Sequence, residues 1–318
     1  MTTATITPKV AEITDAKERH ARAAWSIITE PGDGHAGALV QQLGHVAALA
    51  ALEGKRADLD KIVPGLAAQA QRWMPRLRTD AIATALRKAE DNGIRLVDPA
   101  TVPGLADLGP HTPHVLWVRG DIDALGAERR LAIAGARAAT SYGESVCADI
   151  TGDVVAAGVT VHSGGAYGID GAAHRAALMS DGATVAWLAG GVDRMYPIGH
   201  AQLADRIASS AGSALVSEVA PGSSPTRWRF LSRNRLLAAA TQATVIVEAG
   251  FRSGSLNTAG HAASLGRPLG AVPGNVTSVI YGLSSARALF LRDLPVNDVK
   301  DSSPRSVLRS IRRASKAS

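Results

Sequence analysis

The chain has 318 residues, 46% hydrophobic and 19% charged, which suits about two folded domains and excludes extended disorder. Its 34 Lys and Arg against 28 Asp and Glu leave a formal charge of +6, so a polyanionic partner stays open, while 4% aromatic residues supply few platforms for base stacking. One cysteine, Cys147, excludes an internal disulfide framework and a multi-cysteine metal site; with no apolar signal core and no apolar run of roughly 20 residues, a cytoplasmic chain without membrane contact is expected.

The first third is expected to be helical. Residues 21–53 are Ala/Leu-rich with apolar positions at helical spacing, broken by Glu30-Pro31-Gly32-Asp33-Gly34. A second helix is expected over 80–92, with Asp80 as its N-cap and Gly93 just past its end. Arg72, Arg76 and Arg78 between them read as a solvated face, an auxiliary anion surface being the alternative. The Pro- and Gly-rich stretch 103–113 reads as a connector.

Beyond it, short apolar, largely β-branched runs alternate with helical patterns. Strands are expected at 115–118, 131–135, 159–163, 184–188, 214–217, 244–248 and 269–272. Helices are expected around 141–157, 169–180, 201–209, 233–241 and 255–265. This alternation implies right-handed crossovers and an α/β fold with a doubly wound, mostly parallel sheet. From Lys300 the chain carries Arg305, Arg309, Arg312, Arg313 and Lys316, a basic amphipathic helix or a basic arm.

Ligands of doubly wound folds bind beyond the carboxyl ends of the strands, so the residues just after each strand hold the candidates. The first turn is Gly135-Ala136-Arg137, where glycine permits a tight turn and Arg137 offers a fork of donors. The second is Ser163-Gly164-Gly165-Ala166-Tyr167-Gly168, a glycine-rich helix start whose amides could cradle an anion. It matches neither the dinucleotide fingerprint nor a Walker A loop. Asp170 is expected to cap the following helix and His174, one turn later, to hydrogen-bond to it.

Next comes an arginine cluster, Arg227, Arg229, Arg233-Asn234-Arg235, interleaved with Trp228 and Phe230 and suited to phosphate oxygens. Glu248 ends a strand and could act as a base or orient Arg235. Ser253-Gly254-Ser255 opens the next helix with hydroxyls and amides, and Pro273-Gly274-Asn275 closes the last strand in the same layer. Convergence of these turns on one rim fits a polyphosphate or nucleic-acid backbone. No nucleophile–base pair and no metal constellation stands out, so no catalytic residue, cofactor or metal is assigned.

Taken in order, these motifs resemble the DNA-processing protein A (DprA, also Smf) family. The resemblance runs from Leu116-Trp117-Val118-Arg119-Gly120-Asp121 through Gly135-Ala136-Arg137 and the glycine-rich stretch to Gly190-Gly191-Val192-Asp193 and Tyr196-Pro197. It continues through Ser217-Glu218, Arg233-Asn234-Arg235, Ser253-Gly254-Ser255-Leu256 and Val272-Pro273-Gly274. It implies an extended Rossmann-like domain over 111–296, a small helical domain of SAM or helix-hairpin-helix type over 1–110, and a basic tail over 297–318. It also implies a non-enzymatic homodimer that binds and protects single-stranded DNA and loads a RecA-type recombinase in DNA uptake and recombination. Two departures stand out. Tyr167 occupies a place where the family usually has Arg or Lys, and Gly282-Leu283-Ser284-Ser285-Ala286-Arg287 replaces the family's usual Gly-Cys-Asn-like stretch. A nucleotide-binding or nucleoside-monophosphate phosphoribohydrolase-like protein is the alternative, although that enzyme class's Pro-Gly-Gly-x-Gly-Thr stretch is absent. A dinucleotide oxidoreductase is disfavoured by the missing fingerprint.

Overall fold

The computed structural model describes residues 9–54, 59–250 and 253–273. Helices start where the sequence supplies caps. Asp15 accepts from the Glu18 amide at 2.9 Å and opens α1 (Ala16–Ile28). Asp33 accepts from the amides of His35 and Ala36 and opens α2 (Gly34–Leu43), and its second oxygen accepts from the Trp73 indole at 3.0 Å. There follow α3 (His45–Glu53), α4 (Leu59–Ile62), α5 (Leu66–Trp73) and α6 (Thr79–Asp91). Asp80 is not the cap of α6: it is the helix's second residue and pairs with Arg78, the residue at the cap position. Gly93 stands past the end with a φ of 60°, as the sequence requires. Arg72, Arg76 and Arg78 are exposed.

A strand absent from the sequence reading comes next, β1 (Ile94–Val97). It is followed by β2 (Leu116–Gly120), β3 (Arg130–Ala134), α7 (Ser141–Ala156), β4 (Thr160–Gly164) and α8 (Ile169–Met179). The chain continues through β5 (Thr184–Trp187), α9 (Ala201–Ser209), β6 (Ala214–Ser217), α10 (Arg227–Ala239), β7 (Ala243–Ile246), α11 (Ser255–Ser264) and β8 (Leu269–Ala271). The eight strands form one sheet in the order β1-β2-β6-β5-β4-β3-β7-β8. β1 and β2 run antiparallel to their neighbours, and all other pairs are parallel. β1 lies on the N-terminal side of residue 110 yet is hydrogen-bonded into the sheet, and Ile13 pairs along its outer edge.

The two sides of β3 show how the layers form. Leu131 and Ile133 pack with Val161, Val245 and the apolar residues of α7 and α8. Ala132 and Ala134 face the other way, with Trp187, Ile246 and residues of α10 and α11. The N-terminal helices share a core with the sheet, in which Trp25 and Leu39 join Trp117, Leu215 and Ile207. α10 starts at Arg227, earlier than the sequence pattern suggests, because Thr226 caps it by accepting from the Arg229 amide at 3.2 Å. No helix among the described residues is long and apolar enough to cross a membrane. Gly274, Asn275, the stretch 282–287 and the basic tail lie outside the described residues.

Between β3 and β7 the winding reverses: β4 follows β3 on one side, and β7 returns on the other. At such a switch point the loops leaving the two strands diverge to opposite faces and leave a crevice.

Candidate functional site

That crevice is a cleft of about 1400 Å³. Gly135 and Arg137 enter it from the end of β3, and Glu248 from just beyond β7. The loop after β5 contributes Arg194 and Tyr196, and residues 222–226 form a wall leading into α10. α10 supplies Arg227, Phe230, Arg233 and Asn234, and the start of α11 supplies Ser253, Gly254 and Ser255.

The rim is basic and aromatic. Arg137, Arg194 and Arg227 are exposed, and none forms an ion pair among the described residues. The Arg137 guanidinium carbon lies 4.7 Å from the Phe230 ring centre, and the Tyr196 ring is 5.9 Å from Phe230 on centroids. The floor is buried. Arg233 is 6% exposed and donates to the Trp187 carbonyl. Asp170 lies beside it, and burial pushes that carboxyl up while Arg233 opposes the shift; burial also lowers the Arg233 pKa. Asn234 donates to Gly254 O at 3.1 Å and Asn257 Oδ1 at 3.2 Å, tying α10 to α11, while the Ser253 and Ser255 hydroxyls are 2.7 Å apart. Glu248 accepts from the Thr140 amide at 3.0 Å and hydroxyl at 3.2 Å, pinning the start of α7.

The glycine-rich stretch meets the cleft at Ala166, and its other residues pack between elements. Ser163, Gly164, Gly165, Tyr167 and Gly168 do not line the cleft. Ser163 is buried and donates to Ile133 O at 2.6 Å. A Cβ on Gly164 would lie 2.3 Å from Asp170 Oδ2 and 2.5 Å from Arg233, so glycine here makes room for those two floor groups. Gly168 has a φ of 72° and would place a Cβ 2.2 Å from Ala136 O, and Gly165 lies against Leu188 and Met195. These glycines let β3, β4 and α8 approach closely. Tyr167 is 49% exposed and packs its ring edge-on to His200 at 4.8 Å.

Three orienting roles also change. Gly168 holds the N-cap position of α8, and Asp170 closes the loop by accepting from the Ala166 amide at 3.3 Å. His174 does not meet Asp170: its Nε2 lies 2.8 Å from Gly164 O and its Nδ1 2.7 Å from Thr184 Oγ1. A carbonyl only accepts, so the neutral ring carries its proton on Nε2. Glu248 does not orient Arg235. That arginine is 6% exposed, pairs bidentately with Glu218 at 2.6 Å and 2.6 Å, and donates to His111 O at 3.0 Å and 3.2 Å. Its guanidinium packs under Gly32, so it joins α10 to the N-terminal helices and takes no place in the cleft. Arg194 and Tyr196, which the sequence reading did not assign, follow β5, where the same strand-end rule would have found them.

The cleft's sequence has relatives. The family profile described as DNA recombination-mediator protein A matches residues 96–285. A relative from Mycobacterium tuberculosis is 56% identical over 170 residues, 53% of this chain and 43% of that protein, so the match spans less than half of the relative's length. The fold is similar to that of DNA processing protein A from Streptococcus pneumoniae, with a TM-score of 0.72 at 24% identity over 94% of this chain and 98% of that one. It is also similar to DNA processing protein A from Helicobacter pylori, solved to describe that protein's single-stranded DNA binding mode, with a TM-score of 0.57 at 24% identity over 65% and 93% of the two chains.

Proposed function

This chain belongs to the DNA recombination-mediator protein A family, and from that premise we propose that its cleft binds single-stranded DNA in the service of recombination. The observation that carries the reading is the rim itself: Arg137, Arg194 and Arg227, without ion-pair partners among the described residues, line one cleft with the rings of Phe230 and Tyr196. Guanidinium forks suit phosphate oxygens and ring faces suit unstacked bases. A single strand offers both groups at once, whereas a duplex keeps its base faces inside the stack. The Helicobacter pylori relative, whose single-stranded DNA binding mode has been described, supports the same reading.

The two carboxylates nearest the floor are engaged in structure, Glu248 with Thr140 and Asp170 with the Ala166 amide, which favours a binding role over hydrolysis. The proposal includes action in the cytoplasm, loading of a RecA-type recombinase onto the bound strand, and self-association as a dimer; family membership is its support for these. The test is a fluorescence-anisotropy titration of labelled oligo-dT and of a duplex of equal length at two salt concentrations. Tighter binding of the single strand, weakening as salt rises, is expected. Equal affinity for the duplex, or no binding to either, rejects the reading.

A further inference from the structure

Arg229 of α10 does not line the cleft but bonds to its wall. Its Nη1 donates to Ser224 O at 3.0 Å, in the wall of the cleft. Its Nε and Nη2 donate to the two oxygens of Glu30 at 3.1 Å and 3.3 Å. Glu30 stands in the turn between α1 and α2, where Arg76 also donates to it at 2.9 Å. Burial alone would raise the Glu30 pKa, but Arg229 and Arg76 outweigh it and hold the carboxyl below its usual range.

The turn that carries Glu30 is stiffly held. The Asp33 amide donates to Glu30 O at 3.2 Å, and His111 Nδ1 lies 2.8 Å from Gly32 O. The wall is held in two halves. Gly222 donates its amide to both oxygens of Asp193 at 2.9 Å, and Ser223 O accepts from the Gly191 amide at 3.0 Å. Beyond Ser223, Pro225 has no N–H; Thr226 is tied to α10 by its cap on the Arg229 amide, and Ser224 is tied by its carbonyl to the Arg229 side chain. From α6, Lys88 packs over Gly222 in the wall.

We infer that Glu30 is a positioning residue for the cleft: by fixing Arg229, it holds the Ser224–Thr226 wall at the entry to α10 and sets the affinity for single-stranded DNA from the N-terminal helices. The inference rests on the reading of the cleft as the DNA site. It opposes the simple electrostatic expectation, in which removing an acidic group beside a basic cleft strengthens polyanion binding.

The experiment is a double-mutant cycle with Glu30→Gln and Arg229→Gln, read by oligo-dT anisotropy over a range of salt and by amide exchange at 226–229. Each single variant is expected to bind about fivefold more weakly, and the double variant no more weakly than either. The salt slope should stay that of the wild type, because Arg229 touches no phosphate. Amides 226–229 should exchange faster while α1 and α2 remain protected. Wild-type or tighter binding by Glu30→Gln, additive losses, or a reduced salt slope each overturns the inference. If Glu30→Gln fails to fold by circular dichroism, Arg76→Gln, which removes one exposed contact to Glu30, should weaken binding about twofold; unchanged binding then counts against it. Failure of the wild type to bind oligo-dT would instead reject the functional reading.

Discussion

Two arginines, Arg137 at the end of β3 and Arg235 on α10, behave as different materials. Arg137 is exposed and held only over an aromatic ring, so its charge is available to a phosphate. Arg235 spends its fork on Glu218 and on the carbonyls of His111 and Ser232, and is 6% exposed. The first governs affinity and the second stability. Arg137→Ala should leave the melting temperature within a degree or two and weaken oligo-dT binding while lowering the salt slope by about 0.7, one phosphate contact on a single strand. Arg235→Ala leaves Glu218 buried without its cation and should cost about 3 kcal/mol, since breaking one side of a buried pair strands the other charge. Urea denaturation and anisotropy on both variants check the contrast. A stable Arg235→Ala protein that has lost DNA binding would show that Arg235 reaches the strand after all.

Among the elements, the seven strands and five helices of the doubly wound sheet were legible because continuous apolar runs and helical spacing coincide with glycine turns. β1 was not: Ile94-Arg95-Leu96-Val97 is only four residues long and is followed by no helix of the alternating pattern, so its place in the sheet is fixed by its pairing to β2. The convergence of Gly135, Arg137, Arg233, Asn234 and Ser253–Ser255 was legible from the strand-end rule. What the rule cannot tell is which glycines face a ligand and which face a neighbouring element. Gly164 and Gly168 stand at a strand end and a helix start like a phosphate loop, yet their missing side chains make room for Arg233 and for Ala136 O. Packing in two parts of the fold also shifts three histidines. Burial lowers His174, between β4 and β5, to about 4, and lowers His45 and His114, whose rings meet at 5.6 Å, to about 3. Unfolded, each would titrate near 6.5, so between about pH 4 and 6.5 the unfolded chain takes up protons that the folded chain refuses. Stability is therefore present above about pH 6.5 and falls as the pH drops, by about 1.4 kcal/mol per unit for each histidine. Urea midpoints at pH 7 and pH 5 at fixed ionic strength should show the loss. Equal midpoints would mean that these rings are not held neutral by burial.

On the scale of the whole molecule, the formal charge of +6 says only that polyanions are attracted; where the charge lies decides what is gripped. Much of the arginine in the described residues is neutralised locally, as Arg22 by Glu18 and Asp98, Arg119 by Asp205, Arg229 by Glu30 and Arg267 by Asp107. Arg137, Arg194 and Arg227 are left without ion pairs around one cleft, so three available guanidiniums meet at the switch point of the sheet, whereas exposed Arg72, Arg87, Arg175 and Arg206 lie outside it. If those three guanidiniums each neutralise one phosphate, the log–log slope of affinity against salt should include a contribution of about −2, three contacts at roughly −0.7 each. Replacing all three with Ala should remove that contribution while leaving the fold intact, because none of them supports an ion pair. Replacing Arg22, Arg119 and Arg267 instead removes the same number of charges and should leave the slope nearly unchanged. Equal changes in the two triple variants would show that binding responds to net charge and that the cleft has no privileged role.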